Sequence, residues 1–249
     1  MDDVSLIPAI IICLTFLLAG FVKGVIGLGL PTVAIGLLGL VMAPVSAAAL
    51  LVVPSLVTNI WQLFAGPGFM PLLRRFWPML LGLCVGTWSV AGWSSGAANG
   101  QATAMLGIAL VAYALLGLSK WRFTVSARIE RWLSPWMGIV TGAVAAVTGV
   151  FVIPAVPYLN ALGLQRDELV QVLGLSFTVS TIALAIVLAT NGTFLPSVAG
   201  SSALALAQAL GGMLVGQRVR MKVRAETFRL YFFSGLLLLG LHLALRGVL

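Results

Sequence analysis

The chain has 249 residues, 61% of them hydrophobic and only 8% charged, with a mean hydropathy of +1.13 and a formal net charge of +8. A soluble domain covers itself with charge, and this chain has too little to do so. Its basic residues sit between long apolar runs, so they mark membrane topology and contacts to anionic lipid rather than a nucleic-acid partner.

Ten apolar segments follow one another when a span of ~20 residues is the yardstick and shorter pieces are accepted as half-helices. They run near Val4–Val22, Val25–Met42, Pro44–Ala65, Phe76–Ala97 and Ala102–Leu118, then Leu133–Val147, Val150–Leu164, Leu169–Thr190, Pro196–Gln217 and Thr227–Leu245. Asp2 and Asp3 stand where a signal peptide carries basic residues, so the first segment is expected to stay as a span. The longest polar stretch, Ser119 to Arg131, separates two halves. The expected organisation is a first membrane repeat over 1–118, a cytoplasmic linker over 119–132 and a second membrane repeat over 133–249.

The positive charges set an orientation. With the N-terminus outside, Arg74, Arg75, Lys120, Arg122, Arg128, Arg131, Arg166, Arg218, Arg220, Lys222, Arg224 and Arg229 all fall on the cytoplasmic side. The joins Gly96–Gln101 and Asn191–Pro196 carry no charge and lie outside, and only Arg246, near the C-terminus, falls on that side. Both termini are expected in the periplasm of a bacterial-type inner membrane.

The halves echo each other. Gly20-Phe-Val-Lys-Gly-Val-Ile-Gly27 parallels Gly142-Ala-Val-Ala-Ala-Val-Thr-Gly149. Pro31 matches Pro154 with one residue of slip, and Ser55 and Thr58 match Thr178 and Thr181. Five segments per half is an odd number, so the halves take opposite orientations, as in many secondary transporters. The predicted fold class is all-α: a polytopic transmembrane bundle of two inverted repeats with broken or re-entrant helix pairs.

The stretch Lys23-Gly-Val-Ile-Gly-Leu-Gly-Leu-Pro31 joins two apolar segments with almost no polar loop. Gly24, Gly27 and Gly29 permit close backbone approach, and Pro31 suits a first helical turn. A helix starting there aims free N–H groups and its positive end at the turn, and Lys23 adds a full charge. One reading is an anion cradle. The other makes Lys23 a snorkelling residue at the cytoplasmic face and the glycines helix-packing residues. The second turn, Thr148 to Pro154, offers Thr148 and the Gly149 amide as donors, with Ala145 where the first half has Lys23. The two turns are expected to face each other.

Ser55, Asn59 and Gln62 share one face of the third segment, and Ser176 and Ser180 one face of the eighth, with Thr178 and Thr181 adjacent. Asn59, Gln62, Ser176 and Thr181 are the expected lining of a path, because buried amides and hydroxyls mark routes or glue between helices. No Asp or Glu lies inside an apolar run, which disfavours a cation substrate. Cys13 and Cys84 lie in apolar runs and suggest neither disulfide nor metal site. His242 alone supplies no catalytic pair, so neither an enzyme nor a cofactor is expected.

The pattern Gly20-x-x-x-Gly-x-x-Gly-x-Gly-x-Pro31, its echo from Gly142 to Pro154 and the duplicated halves resemble the TauE/SafE family of sulfite exporters. Phe21–Leu38 and Thr148–Leu175 look closest to it. The second half departs from the family, having Val150 and Phe151 in place of a Gly-Gly run. The resemblance implies a bacterial inner-membrane permease for sulfite, small organosulfonates or related anions. The expected function is therefore a secondary transporter of a small anion, with H+ or Na+ as possible coupling ion. An anion channel, an integral membrane enzyme and a structural subunit are the alternatives.

Overall fold

Backbone polar groups in hydrocarbon must be satisfied within the protein, and a chain this apolar meets that demand with helices. A computed structural model describes residues 3–66, 68–94, 99–119, 124–192 and 196–248. Its elements are α1 (Asp3–Ile26), α2 (Leu30–Leu38), α3 (Pro44–Phe64), α4 (Phe69–Ser94), α5 (Asn99–Leu118), α6 (Ala127–Thr148), α7 (Ala155–Ala161), α8 (Arg166–Thr190), α9 (Pro196–Arg220) and α10 (Ala225–Val248). Among the described residues there is no strand, and the ten helices follow the ten apolar segments.

Five helices carry stretches long and apolar enough to cross a membrane: Ala9–Ile26, Pro44–Phe64, Gly100–Leu118, Arg166–Thr190 and Glu226–Val248. Helices α4, α6 and α9 are as long, at 26, 22 and 25 residues, but are diluted by glycine, serine and arginine. Helices α2 and α7 have nine and seven residues. At 1.5 Å per residue they span about 14 and 10 Å, so each is a half-helix.

Three boundaries differ from the sequence reading. Helix α1 continues to Ile26, so Lys23 and Gly24 are helical and the turn shrinks to Gly27–Gly29. Helix α4 starts at Phe69, ahead of the apolar run, because Arg74 and Arg75 are tolerated on its exposed side. Helix α6 starts at Ala127, inside the expected linker, and takes Glu130 into its first turn. There Glu130 accepts two hydrogen bonds from Arg75, at 2.7 and 2.8 Å, which joins the starts of α4 and α6. Lys120, Arg122 and half of the two charge-free joins lie outside the described residues.

Left-handed glycines end the helices that precede the half-helices. Gly27 has φ 82° and Gly149 has φ 71°, conformations that cost other L residues energy. Gly29, at φ 103°, precedes α2, and Pro31 occupies its first turn, where a missing N–H costs nothing.

Small residues hold the long helices together. Gly20 and Gly24 of α1 abut the backbone of Ala209 and Met213 in α9, while Gly212 and Gly216 of α9 abut Leu17 and Phe21. The same interlock joins α6 to α4: Gly138 and Gly142 meet Met79 and Leu83, and Gly82 and Gly86 meet Pro135 and Ile139. Each pair is a double small-xxx-small contact, which lets backbones approach closely where lipid supplies no hydrophobic drive. Gly107 and Gly240 do the same for α5 and α10. The most extensive pairings are α4 with α6, α5 with α10, α1 with α9 and α3 with α8. Adding five to each helix number, cyclically, turns α1–α9 into α6–α4 and leaves α5–α10 and α3–α8 unchanged.

Helices α3 and α8 occupy the middle. Each buries polar as well as apolar residues, including Ser55, Thr58, Asn59 and Gln62 of α3 and Gln171, Ser176, Thr178, Ser180 and Thr181 of α8. Large apolar residues such as Leu14, Leu18, Trp61, Phe64, Trp77 and Leu81 remain exposed, as lipid-facing positions must.

Candidate functional site

The face of α3 formed by Ala48, Leu51, Val52, Ser55, Thr58, Asn59 and Gln62 recurs every three or four residues. At the Phe64 end it is clamped to α8. The Gln62 amide donates to the Val170 carbonyl at 2.9 Å, and the Gln171 amide donates to the Leu63 carbonyl at 2.8 Å. Gln171 Oε1 also accepts the Gly68 N–H at 3.1 Å. These reciprocal bonds fix the two helices antiparallel and in register. Gly174 completes the seam by lying against Gln62 and Leu63.

One turn further along α3 comes Lys23. Its side chain leaves α1, is 4% exposed, and donates to Thr58 Oγ1 at 3.1 Å and to Asn59 Oδ1. Thr58 donates its own proton to the Pro54 carbonyl at 2.7 Å, which leaves an oxygen lone pair for the ammonium. Both partners of Lys23 are neutral. A buried ammonium without a counter-charge is costly. The snorkelling alternative needed the ammonium at a surface, and the ammonium is not there.

Three further polar atoms on this face have no hydrogen-bond partner among the described residues: Ser55 Oγ, Asn59 Nδ2 and Gln62 Oε1. A buried polar atom left unpaired costs about 1–3 kcal/mol, so such atoms mark places where water or a ligand belongs. Beyond Ser55 the seam narrows to a gap lined by Ile35, Leu51, Val52 and Ser55 on one side and Phe151, Thr181 and Leu184 on the other. It has no room for a water molecule. Thr181 therefore lines the gap, although its hydroxyl is spent on the Phe177 carbonyl at 2.7 Å.

Other expected site residues are placed elsewhere. Gly24 serves the α1–α9 contact. The Gly27 N–H is bonded to the Lys23 carbonyl at 2.8 Å, and its Cα faces open space. Gly29 lies near Val22 and Phe232. Thr148 donates to the Val144 carbonyl at 2.7 Å and accepts from the Val150 N–H at 3.1 Å, so it stabilises its own turn. The Gly149 N–H is bonded to the Ala145 carbonyl at 2.8 Å. Neither donor expected of the second turn is free. Ser176 lies two residues from Gly174, about 160° around α8, and so points away from α3. Its buried Oγ has no partner among the described residues.

The Lys23 ammonium and the second turn meet α3 at different heights. A side chain at Gly149 would run into Ile35 and lie 3.5 Å from Ala48, about 6 Å along α3 from Pro44. The Lys23 ammonium meets α3 at Thr58, about 21 Å from Pro44. The reason is the extra turn of α1, which carries Lys23 past the position expected for a loop. Gln171 and the Arg75–Glu130 pair were not anticipated. Gln171 could have been found as a second amide near the charged end of an apolar segment, as Gln62 is.

Long apolar helices, two half-helices and a buried central lysine define a polytopic membrane protein whose build suits a transporter. The chain belongs to the TauE/SafE family: the profile described as "Sulfite exporter TauE/SafE" matches residues 12–243. That is a family of membrane transporters, and the match covers nearly the whole chain. No curated protein and no solved structure matches the chain.

Proposed function

We propose that this protein is a secondary transporter of a small anion, sulfite or a small organosulfonate, and that Lys23 supplies the anion's counter-charge. The observation that carries the reading is the Lys23 ammonium, buried between two neutral acceptors. Ser55 Oγ and Asn59 Nδ2, unpartnered on the same face, are the hydrogen-bond donors that complete the site.

The chain works as two inverted halves, 1–118 and 133–249, joined by a cytoplasmic linker. The exchange of helix pairings under a shift of five supports this, as do the twin interlocks α1–α9 and α4–α6. The narrow gap beyond Ser55 supports a resting arrangement in which α3 and α8 lie in contact. For an anion to enter, α3 and α8 part, and the interlocked pairs rock around them. The basic loops face the cytoplasm of an inner membrane, and both termini face the periplasm. The reaction is transport alone, without a catalytic step.

Purified protein in sulfite-loaded proteoliposomes tests this. Saturable sulfite efflux that requires the protein is expected. Efflux that rises linearly with concentration, with single-channel conductance, would indicate a channel. No efflux above protein-free vesicles would contradict the reading.

A further inference from the structure

Resting on the anion reading above, we propose that the Lys23 site is matched to one negative charge and takes a monoanionic R–SO3− type oxyanion in preference to a dianion. Charge count and donor geometry both lead there.

The charged residues buried among the described ones are Lys23 and Glu130. Glu130 is neutralised by Arg75, which leaves one unpaired positive charge in the interior. Nothing nearby adds a second. Helices α2 and α3 contain no titratable residue. On α9, Arg218 and Arg220 are exposed at the end of the helix, and on α8 Arg166, Asp167 and Glu168 are exposed at the start. On α10, Glu226, Arg229, His242 and Arg246 are exposed. A monoanion at Lys23 makes the site neutral. A dianion leaves a full negative charge buried without a partner, and a neutral solute leaves the ammonium as it was.

The donors point the same way. An ammonium has three N–H groups and no acceptor, so the Asn59 oxygen must be the atom facing Lys23. That fixes Asn59 Nδ2, with two N–H groups, as the free end. Lys23 keeps its third N–H, and Ser55 has an unused O–H four residues before Asn59 on the same face. The site therefore offers donors from three side chains to one charge, which suits the three oxygens of a sulfonate or singly protonated sulfite.

Three small sulfur compounds of similar shape form a charge ladder: dimethyl sulfone, methanesulfonate and sulfate, with charges of zero, one and two. Their binding to the detergent-purified full chain is measured at one fixed pH by isothermal titration calorimetry. Methanesulfonate is expected to bind at least ~100-fold tighter than sulfate, given the cost of an uncompensated buried charge. In Lys23→Met its advantage over dimethyl sulfone is expected to disappear. Sulfate binding as tightly as methanesulfonate would overturn the charge match while leaving an anion site in place. Failure of both anions to bind a wild-type protein with intact cooperative unfolding would overturn the charge match and the anion reading together.

Discussion

Two adjacent glycines in α9 give opposite expectations. A Cβ at Gly212 would fall 2.8 Å from Phe21 N and closer still to the Leu17 carbonyl oxygen, both on the backbone of α1. Ordinary contact begins at 3.4 Å, so α1 and α9 must separate by more than about 0.6 Å. Backbone cannot swing aside as a side chain does. The cost belongs near the upper end of overpacking penalties, about 3 kcal/mol, against a gain of about 1 kcal/mol from alanine's helix propensity. Gly211 has nothing within 4 Å of its virtual Cβ and keeps only the gain. Gly212→Ala should thus be about 3 kcal/mol less stable than Gly211→Ala. At roughly 2–4 °C per kcal/mol for a chain of this size, the unfolding midpoints should differ by about 6–12 °C. Thermal unfolding of both variants in one detergent measures the gap. Midpoints within a degree or two of each other would refute the interlocked packing of α1 on α9.

Two further outcomes concern the seam and the orientation. Gln62→Leu should destabilise by about 1 kcal/mol and Gln171→Leu by about 2 kcal/mol, because the first removes one hydrogen bond across the seam and the second removes two, to the Leu63 carbonyl and from the Gly68 N–H. A double-mutant cycle by chemical denaturation should show coupling between them, and strict additivity would mean that the two bonds do not form one clamp. Single cysteines at Gly192 and Lys222, placed in a protein with Cys13 and Cys84 replaced, should differ in reaction with an impermeant maleimide on intact cells. Label at Gly192 alone is expected, and label at Lys222 alone would invert the orientation.

The ten-helix outline was legible because hydrocarbon forces each apolar run into a helix, and all charges but Lys23 fall near or beyond the ends of the runs. The half-helices were partly legible: Gly27, Gly29 and Pro31 marked one junction and Gly149 the other, since left-handed turns need glycine. Where α1 ended was not. Lys23 and Gly24 looked like loop residues because a charge and a glycine both weaken a helix. Yet Lys23 found partners on α3, 35 and 36 residues away, and Gly24 found α9. The Lys23 contact leaves no local trace, whereas the Gly20-xxx-Gly24 spacing is the trace of the α9 contact, as the helix-packing reading of the glycines had it. Gln62 was read as path lining, and its polarity was recognised correctly. Its Nε2 bond to α8 depends on a register that only packing sets. Ser176 was grouped with Thr181, but helical geometry puts it on another face once Gly174 is known to touch α3. Residue type was therefore readable throughout, whereas direction waited on which neighbour each helix met.

The central claim is that the Lys23 ammonium is the counter-charge of the transported anion, and sulfite efflux from proteoliposomes containing Lys23→Met tests it most directly. A charge-assisted hydrogen bond contributes roughly 1.5–3 kcal/mol, so efflux should fall at least ~10-fold, while Lys23→Arg keeps part of it and the exposed Lys222→Met keeps all. Unchanged efflux in a Lys23→Met protein that unfolds at the wild-type temperature would contradict the account.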